Sequence, residues 1–166
     1  IMYCSDPELG VDALFIEPEP FLKNIVKSRK ALYMECPAFH DYYKNCYIVK
    51  SPVDIDISIE IDEKGNKISK THQYDQKFYD AIITNRFEEN NKYTMMSIRF
   101  FYCFYSNESV LVEQLSPSMH KNNIQNNINI IQGTFDISKW VRPIELAFEI
   151  IDDTKNISIK RGDPLF

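Results

Sequence analysis

Between Val53 and Asp62 apolar and polar residues alternate without a break. Val53, Ile55, Ile57, Ile59 and Ile61 stand against Asp54, Asp56, Ser58, Glu60 and Asp62. A period of two puts the isoleucines on one face of an extended chain and the carboxylates on the other, as in an antiparallel strand with one solvated side. The next residues, EKGN, supply a turn in which Gly65 is free to take positive φ, and KISKT reads as the returning strand. The stretch YTMMSIRFFYCFY behaves differently. Met96, Ile98, Phe100, Tyr102 and Phe104 form one apolar face, and Met95, Phe101, Cys103 and Tyr105 make the opposite face largely apolar too. That pattern predicts a central strand buried on both sides, or a strand whose second face meets another subunit. SNES turns the chain and VLVEQL is expected to pair back on it. Further strands are predicted at Ile128 to Ile131, in RPIELAFEI and in ISIKRGDPLF, with DDTKN as the turn between the last two.

Helical spacing is rarer. Phe21, Leu22, Ile25 and Val26 recur at helical intervals after the proline-rich IEPEP, whose Pro18 and Pro20 favour an extended or edge segment. ECPAFHDYYKN has Pro37 suited to a first helical position, Phe39 and Tyr43 four residues apart, and Asn45 to end it. Thr71 to Lys92 carries mixed signals and supports no assignment. The Asn- and Gln-rich HKNNIQNNINIIQG reads as a surface loop entering a strand. Strands therefore dominate, and the expected fold is mainly β. It is an antiparallel β-sandwich or partly open barrel with one or two short helices, one β-rich domain over residues 1–166.

Composition narrows the function classes. With 44% apolar and 26% charged residues the chain is globular, and no apolar run is long enough to span a membrane as a helix. A net charge of −5 argues against nucleic acid, whose phosphates demand a dense Lys/Arg surface; KNIVKSRK, from Lys23 to Lys30, is the only basic cluster. The cysteines Cys4, Cys36, Cys46 and Cys103 show no CxxC and no zinc spacing. A reducing compartment suits them, although an even count leaves disulfides open. Cys36 and His40 are four apart, but Cys36 precedes Pro37 at the helix entry, and His72 and His120 are isolated, so no transition-metal site is expected. The row Asp54, Asp56, Glu60 and Asp62 has the chemistry to bind Ca²⁺ or to act as an acid and base pair, yet a solvated strand face that discourages edge pairing accounts for it. The four glycines are scattered and form no phosphate cradle.

One block remains, GTFDISKW, with Gly133 at a predicted turn, Asp136 three residues later and Trp140 beyond it. It resembles the third motif of trimeric dUTPases and dCTP deaminases, where a Gly–x–x–Asp turn precedes an aromatic residue and a strand, and a later glycine, here Gly162, re-enters the sheet. That resemblance implies a β-clip fold, with Asp136 on a deoxyribose and positioning water and Trp140 stacked on the sugar. Ala147 stands where the deaminase strand carries its catalytic glutamate, and the Arg–Ser phosphate motif and Gly-rich arm are missing. No catalytic role is therefore carried over. A second resemblance covers Ile16 to Phe166. CPAFHDYYKNCYIVKSPVDIDI, SPSMHKNN and the ending GTFDISKWVRPIELAFEI…IKRGDPLF look like an uncharacterised family of small proteins encoded by tailed phages of marine bacteria. It implies an origin of that kind, which the AT-rich codons of Ile and Asn support, and it implies no activity. In that family the last apolar run continues, so truncation near Phe166 is expected.

The block also has a purely structural reading. Trp140 packs at a sheet corner, Arg142 pairs with an acidic residue, Pro143 opens a strand, Leu146 and Phe148 face the core, and Gly162–Asp163–Pro164 makes a bend. The candidate binding residues are Asp136, Trp140 and Arg142, with no catalytic residue, metal ligand or cofactor assigned. The leading functional reading is a non-enzymatic structural or interaction domain of an infected host cell's cytoplasm or of a virion. It would act through a protein partner or as a homo-oligomer, without membrane or nucleic acid. The alternative is a nucleotide-binding or nucleotide-hydrolysing relative of the dUTPase group, and a small-ligand pocket inside the sandwich is a third option.

Overall fold

In chain order the elements are β1 (Met2–Ser5), β2 (Glu19–Pro20), α1 (Phe21–Val26), α2 (Pro37–Tyr43), β3 (Tyr47–Ile48), β4 (Ile55–Ile61), β5 (Lys67–Lys70), α3 (Gln76–Ile82) and β6 (Ile83–Phe87). β7 (Thr94–Tyr105), β8 (Leu111–Gln114), β9 (Ile128–Ile130), β10 (Gly133–Asp136), β11 (Pro143–Ile150) and β12 (Ile157–Ile159) complete the chain. This computed structural model describes residues 1–5, 15–26, 35–71, 74–87, 94–117, 126–141 and 143–166. The basic residues beyond Val26, the Asn-rich stretch 118–125, His72, His120 and Arg142 lie outside them.

The fold is mainly β and sandwich-like, and among the described residues no sheet closes into a barrel. β7 is its spine. On one edge it pairs antiparallel with β11, from Thr94↔Ile150 to Cys103↔Pro143. On the other edge β6 occupies Thr94 to Ile98 and β1 occupies Tyr102 to Tyr105, end to end. β9 extends the sheet beyond β11. The second sheet is β12–β4–β5, in which Ile157 and Ile159 lie directly opposite Ile57 and Ile55.

The predicted faces explain how the two sheets meet. Met96, Ile98, Phe100, Tyr102 and Phe104 of β7 join Ile144, Leu146, Phe148 and Ile150 of β11 and the isoleucines of β4 and β12 in one apolar core. The opposite face of β7 is half-buried at Met95, Ser97, Arg99 and Tyr105, and buried at Cys103. In β4 the alternation holds at Ile55 and Ile57, Ile59 is half-buried, and Ile61 is 71% exposed at the hairpin end. Gly65, at φ +83, makes the turn back into β5. A smaller core of Phe21, Ile25 and Ile48 lets α1 and α2 pack against the β2–β3 pair.

Several expectations need correction. β8 does not pair back on β7; it pairs with β10. β7 already has β11 on one edge and β6 and β1 on the other, so the turn at Ser106 to Ser109 delivers β8 outside that sheet. The described residues hold three short helices. The third, α3, lies in the stretch left unassigned, and its N-cap is Asp75, whose carboxylate accepts from Phe78 N at 2.8 Å. α3 then buries Tyr79 and Ile82 before entering β6 directly. Gly133 is not at a turn: it begins β10, opposite Gln114. Positive φ occurs instead at Gly65 and Gly162 among the described residues.

At the far end, Gly162 (φ +90) reverses the chain after β12. The closing residues then run along 49–51, with Ser51 N donating to Asp163 O, Leu165 N to Val49 O and Val49 N to Phe166 O. Leu165 is fully buried by this contact. Tyr102 ties the same region to the spine: its hydroxyl lies 2.9 Å from the carbonyl oxygens of both Ile16 and Lys50.

Candidate ligand-binding groove

Asp136 ends β10 and closes its own turn. Its carboxylate accepts from Ser138 N at 3.1 Å and Ser138 Oγ at 2.5 Å, and pairs with Lys139 Nζ at 2.9 Å. Its carbonyl accepts from Lys139 N and Trp140 N. The Ser138 hydroxyl, then the Lys139 ammonium, hold the carboxyl down to about 2. Trp140 sets its ring edge-on to Phe135, centroids 6.2 Å apart, and stays 40% exposed. Three of the roughly four acceptor sites of this carboxylate are thus taken up within its own turn. Arg142, the third candidate, lies outside the described residues.

The acidic row is likewise engaged locally. Asp54 accepts from Arg161 N at 2.6 Å, Asp56 pairs with Lys160 at 3.3 Å, and Glu60 pairs with Lys70 at 2.5 Å. Asp62 caps the hairpin turn, accepting from the backbone N–H of Lys64 and Asn66. Its pKa is lowered chiefly by the Asn66 hydrogen bonds. The row therefore fastens a turn and the closing segment. Among the described residues no three His, Cys, Asp or Glu side chains converge as a metal site would require. Cys36 takes the N-cap position of α2 without a side-chain capping bond, and both it and His40 are exposed.

The concave feature lies elsewhere. A groove of about 640 Å³ is lined by β8 together with residues of α2, β3 and β1. Its lining takes in eight successive residues, Val110 to Pro117, with Tyr3, Tyr42, Tyr43, Tyr47 and Phe104. Large apolar side chains are left in water here: Leu111 is 68% exposed, Tyr42 60%, Tyr47 55% and Tyr3 38%. Scattered exposed apolar residues are ordinary, but several from four elements lining one concavity mark a contact surface.

The groove has a rigid foundation. Tyr43 stacks on Phe21 at 4.2 Å and tilts against Phe39 at 4.7 Å, while Tyr42 meets Tyr43 edge-on at 4.8 Å. The buried Gln114 anchors β8 by donating from Nε2 to Glu145 O at 3.1 Å. Glu113 is the one Asp, Glu, Lys or Arg among the described lining residues. Burial, and secondarily the Glu113 charge, push the Cys46 thiol above its ordinary pKa.

No family model, curated protein or solved structure matches this chain. None of the candidates Asp136 and Trp140 lines the groove. Of the residues that do line it, Tyr43 is the one the helical spacing of Phe39 and Tyr43 singles out, and it is half-buried against Phe21 and Phe39.

Proposed function

We propose that this chain is a non-enzymatic interaction domain whose groove receives an extended polypeptide segment along the outer edge of β8. The observation that carries this reading is the pairing of β8. Among the described residues it is hydrogen-bonded to a neighbouring strand, β10, along one edge only, and its residues line the same groove as Tyr3, Tyr42, Tyr43 and Tyr47. An unpaired strand edge offers backbone donors and acceptors to an incoming strand, and apolar hollows beside it select alternate side chains. The segment that fits is extended, apolar or aromatic at alternate positions, and carries a Lys or Arg opposite Glu113.

Selection from a displayed library of random twelve-residue peptides tests this. The expected binders lack proline at the pairing positions, contain a basic residue, and shift amide resonances of residues 110–117 on titration. Glu113→Gln is expected to weaken them by roughly two- to fivefold, in the range of an exposed charged contact. Binders that perturb the Asp136–Trp140 turn instead, or no binders at all, would overturn the reading. A second copy of the chain as the occupant would appear as a dimer in light scattering.

A further inference from the structure

The register of the main sheet sets two cysteines face to face. Cys4 of β1 and Cys103 of β7 are direct partners in the antiparallel ladder, between the pairs Tyr3↔Phe104 and Ser5↔Tyr102. Directly opposed residues project on the same side of a sheet, with Cα atoms about 4.5–5.5 Å apart. Disulfides need about 4.4–6.8 Å. Both residues are thiols in the structure, Cys4 exposed and Cys103 buried.

We propose that Cys4 and Cys103 are a redox pair that closes to a disulfide and staples β1 to the spine. The oxidant is a small-molecule disulfide such as oxidised glutathione. The accessible Cys4 thiolate attacks one sulfur of that disulfide, forming a mixed disulfide and releasing one thiol. The Cys103 thiolate, directly opposite, then attacks the Cys4 sulfur and expels the second thiol. One protein disulfide forms, one small disulfide is consumed, and the two hydrogens leave on the released thiols. Cys36 and Cys46 lie on the α2 and β3 side of the molecule and have no such register partner on a neighbouring strand.

The staple has a mechanical consequence. β1 is held by a four-residue ladder to β7 and pairs with no other described strand. It carries Tyr3, which lines the groove and stacks on Phe15 at 5.9 Å. Oxidation therefore fixes one rim of the groove. That consequence rests on the groove reading; formation of the disulfide does not.

The purified chain is incubated with oxidised glutathione, alkylated and digested without reductant. The expected product has lost two hydrogens and yields a linked Cys4–Cys103 peptide, while Cys4→Ala abolishes the link. Closing a loop of this length is expected to raise the melting temperature by about 10 °C over the reduced chain. Cys4 retaining glutathione, a link from Cys4 to Cys36 or Cys46, or a full-length chain with unchanged mass would each overturn the proposal. Peptide titration of the oxidised and reduced chains then reports on the rim separately from the disulfide.

Discussion

Replacing Tyr102 with phenylalanine isolates one hydroxyl at the junction of three segments. The side chain is fully buried on the core face of β7, and its oxygen lies 2.9 Å from the carbonyls of Ile16 and Lys50. The substitution keeps the ring and its packing against Phe15 at 4.9 Å, so no cavity of consequence opens. What changes is that two carbonyls lose a shared buried donor. An unsatisfied buried polar group costs about 1–3 kcal/mol. For a domain of this size each kcal/mol lowers the melting temperature by about 2–4 °C. Urea unfolding followed by circular dichroism should thus show a lower midpoint with an unchanged slope, whereas Tyr47→Phe at a half-exposed ring should change stability by less than about 0.5 kcal/mol. The hydroxyl also predicts a pH dependence. Burial pushes Tyr102 up to about 12, above the unfolded value of 10. Below pH 10 both states are protonated and the contribution of the hydroxyl is complete. From pH 10 towards 12 the unfolded chain gives up its proton first, so the wild type loses stability relative to Tyr102→Phe. A gap between the two proteins that is absent at pH 8, or that widens from pH 10 to 12, would refute the account.

Two other outcomes are expected. Leu146→Ala empties a fully buried position opposite Ile98. It should cost about 2–5 kcal/mol in chemical denaturation, while Leu111→Ala at the groove should leave stability nearly unchanged. Asp136 and Asp152 are each held at about 2 against an ordinary 3.8, Asp136 first by Ser138 and Asp152 first by Lys155. A depressed folded value means that their contribution is complete above pH 4 and is lost as pH falls towards 2. Carboxyl titration by NMR checks this directly, and values near 3.8 for both would contradict the described turns.

The strands were legible wherever a face was bipartite. Val53 to Ile57 and Pro143 to Ile150 alternate because one side meets the core, so period alone gave both the element and its buried face; Ile61 keeps the period but projects into water at the hairpin end. Pairing was less legible. Nothing in VLVEQL says that β7 already has neighbours on both edges, because one of those neighbours, β1, comes from the opposite end of the chain. α3 escaped because its seven residues are too few for a clear period, although Asp75 before Gln76–Lys77–Phe78 is a capping signal. The conspicuous GTFD and Trp140 drew attention as a site, and the structure ties the Asp136 side chain into its own turn. The groove was invisible for the opposite reason: its residues come from β1, α2, β3 and β8, distant in sequence, and each looks ordinary where it stands.

The arrangement around β7 also sets a timetable for biosynthesis. Met2 leaves the ribosome long before Tyr105, its partner, and Pro143 to Ile150 follow later still. At about 5–20 residues per second, the first strand waits several seconds with an uncovered edge. Nascent chains should therefore be captured by chaperones until β11 emerges, and a ribosome stalled before that point should present a protease-sensitive, unfolded product.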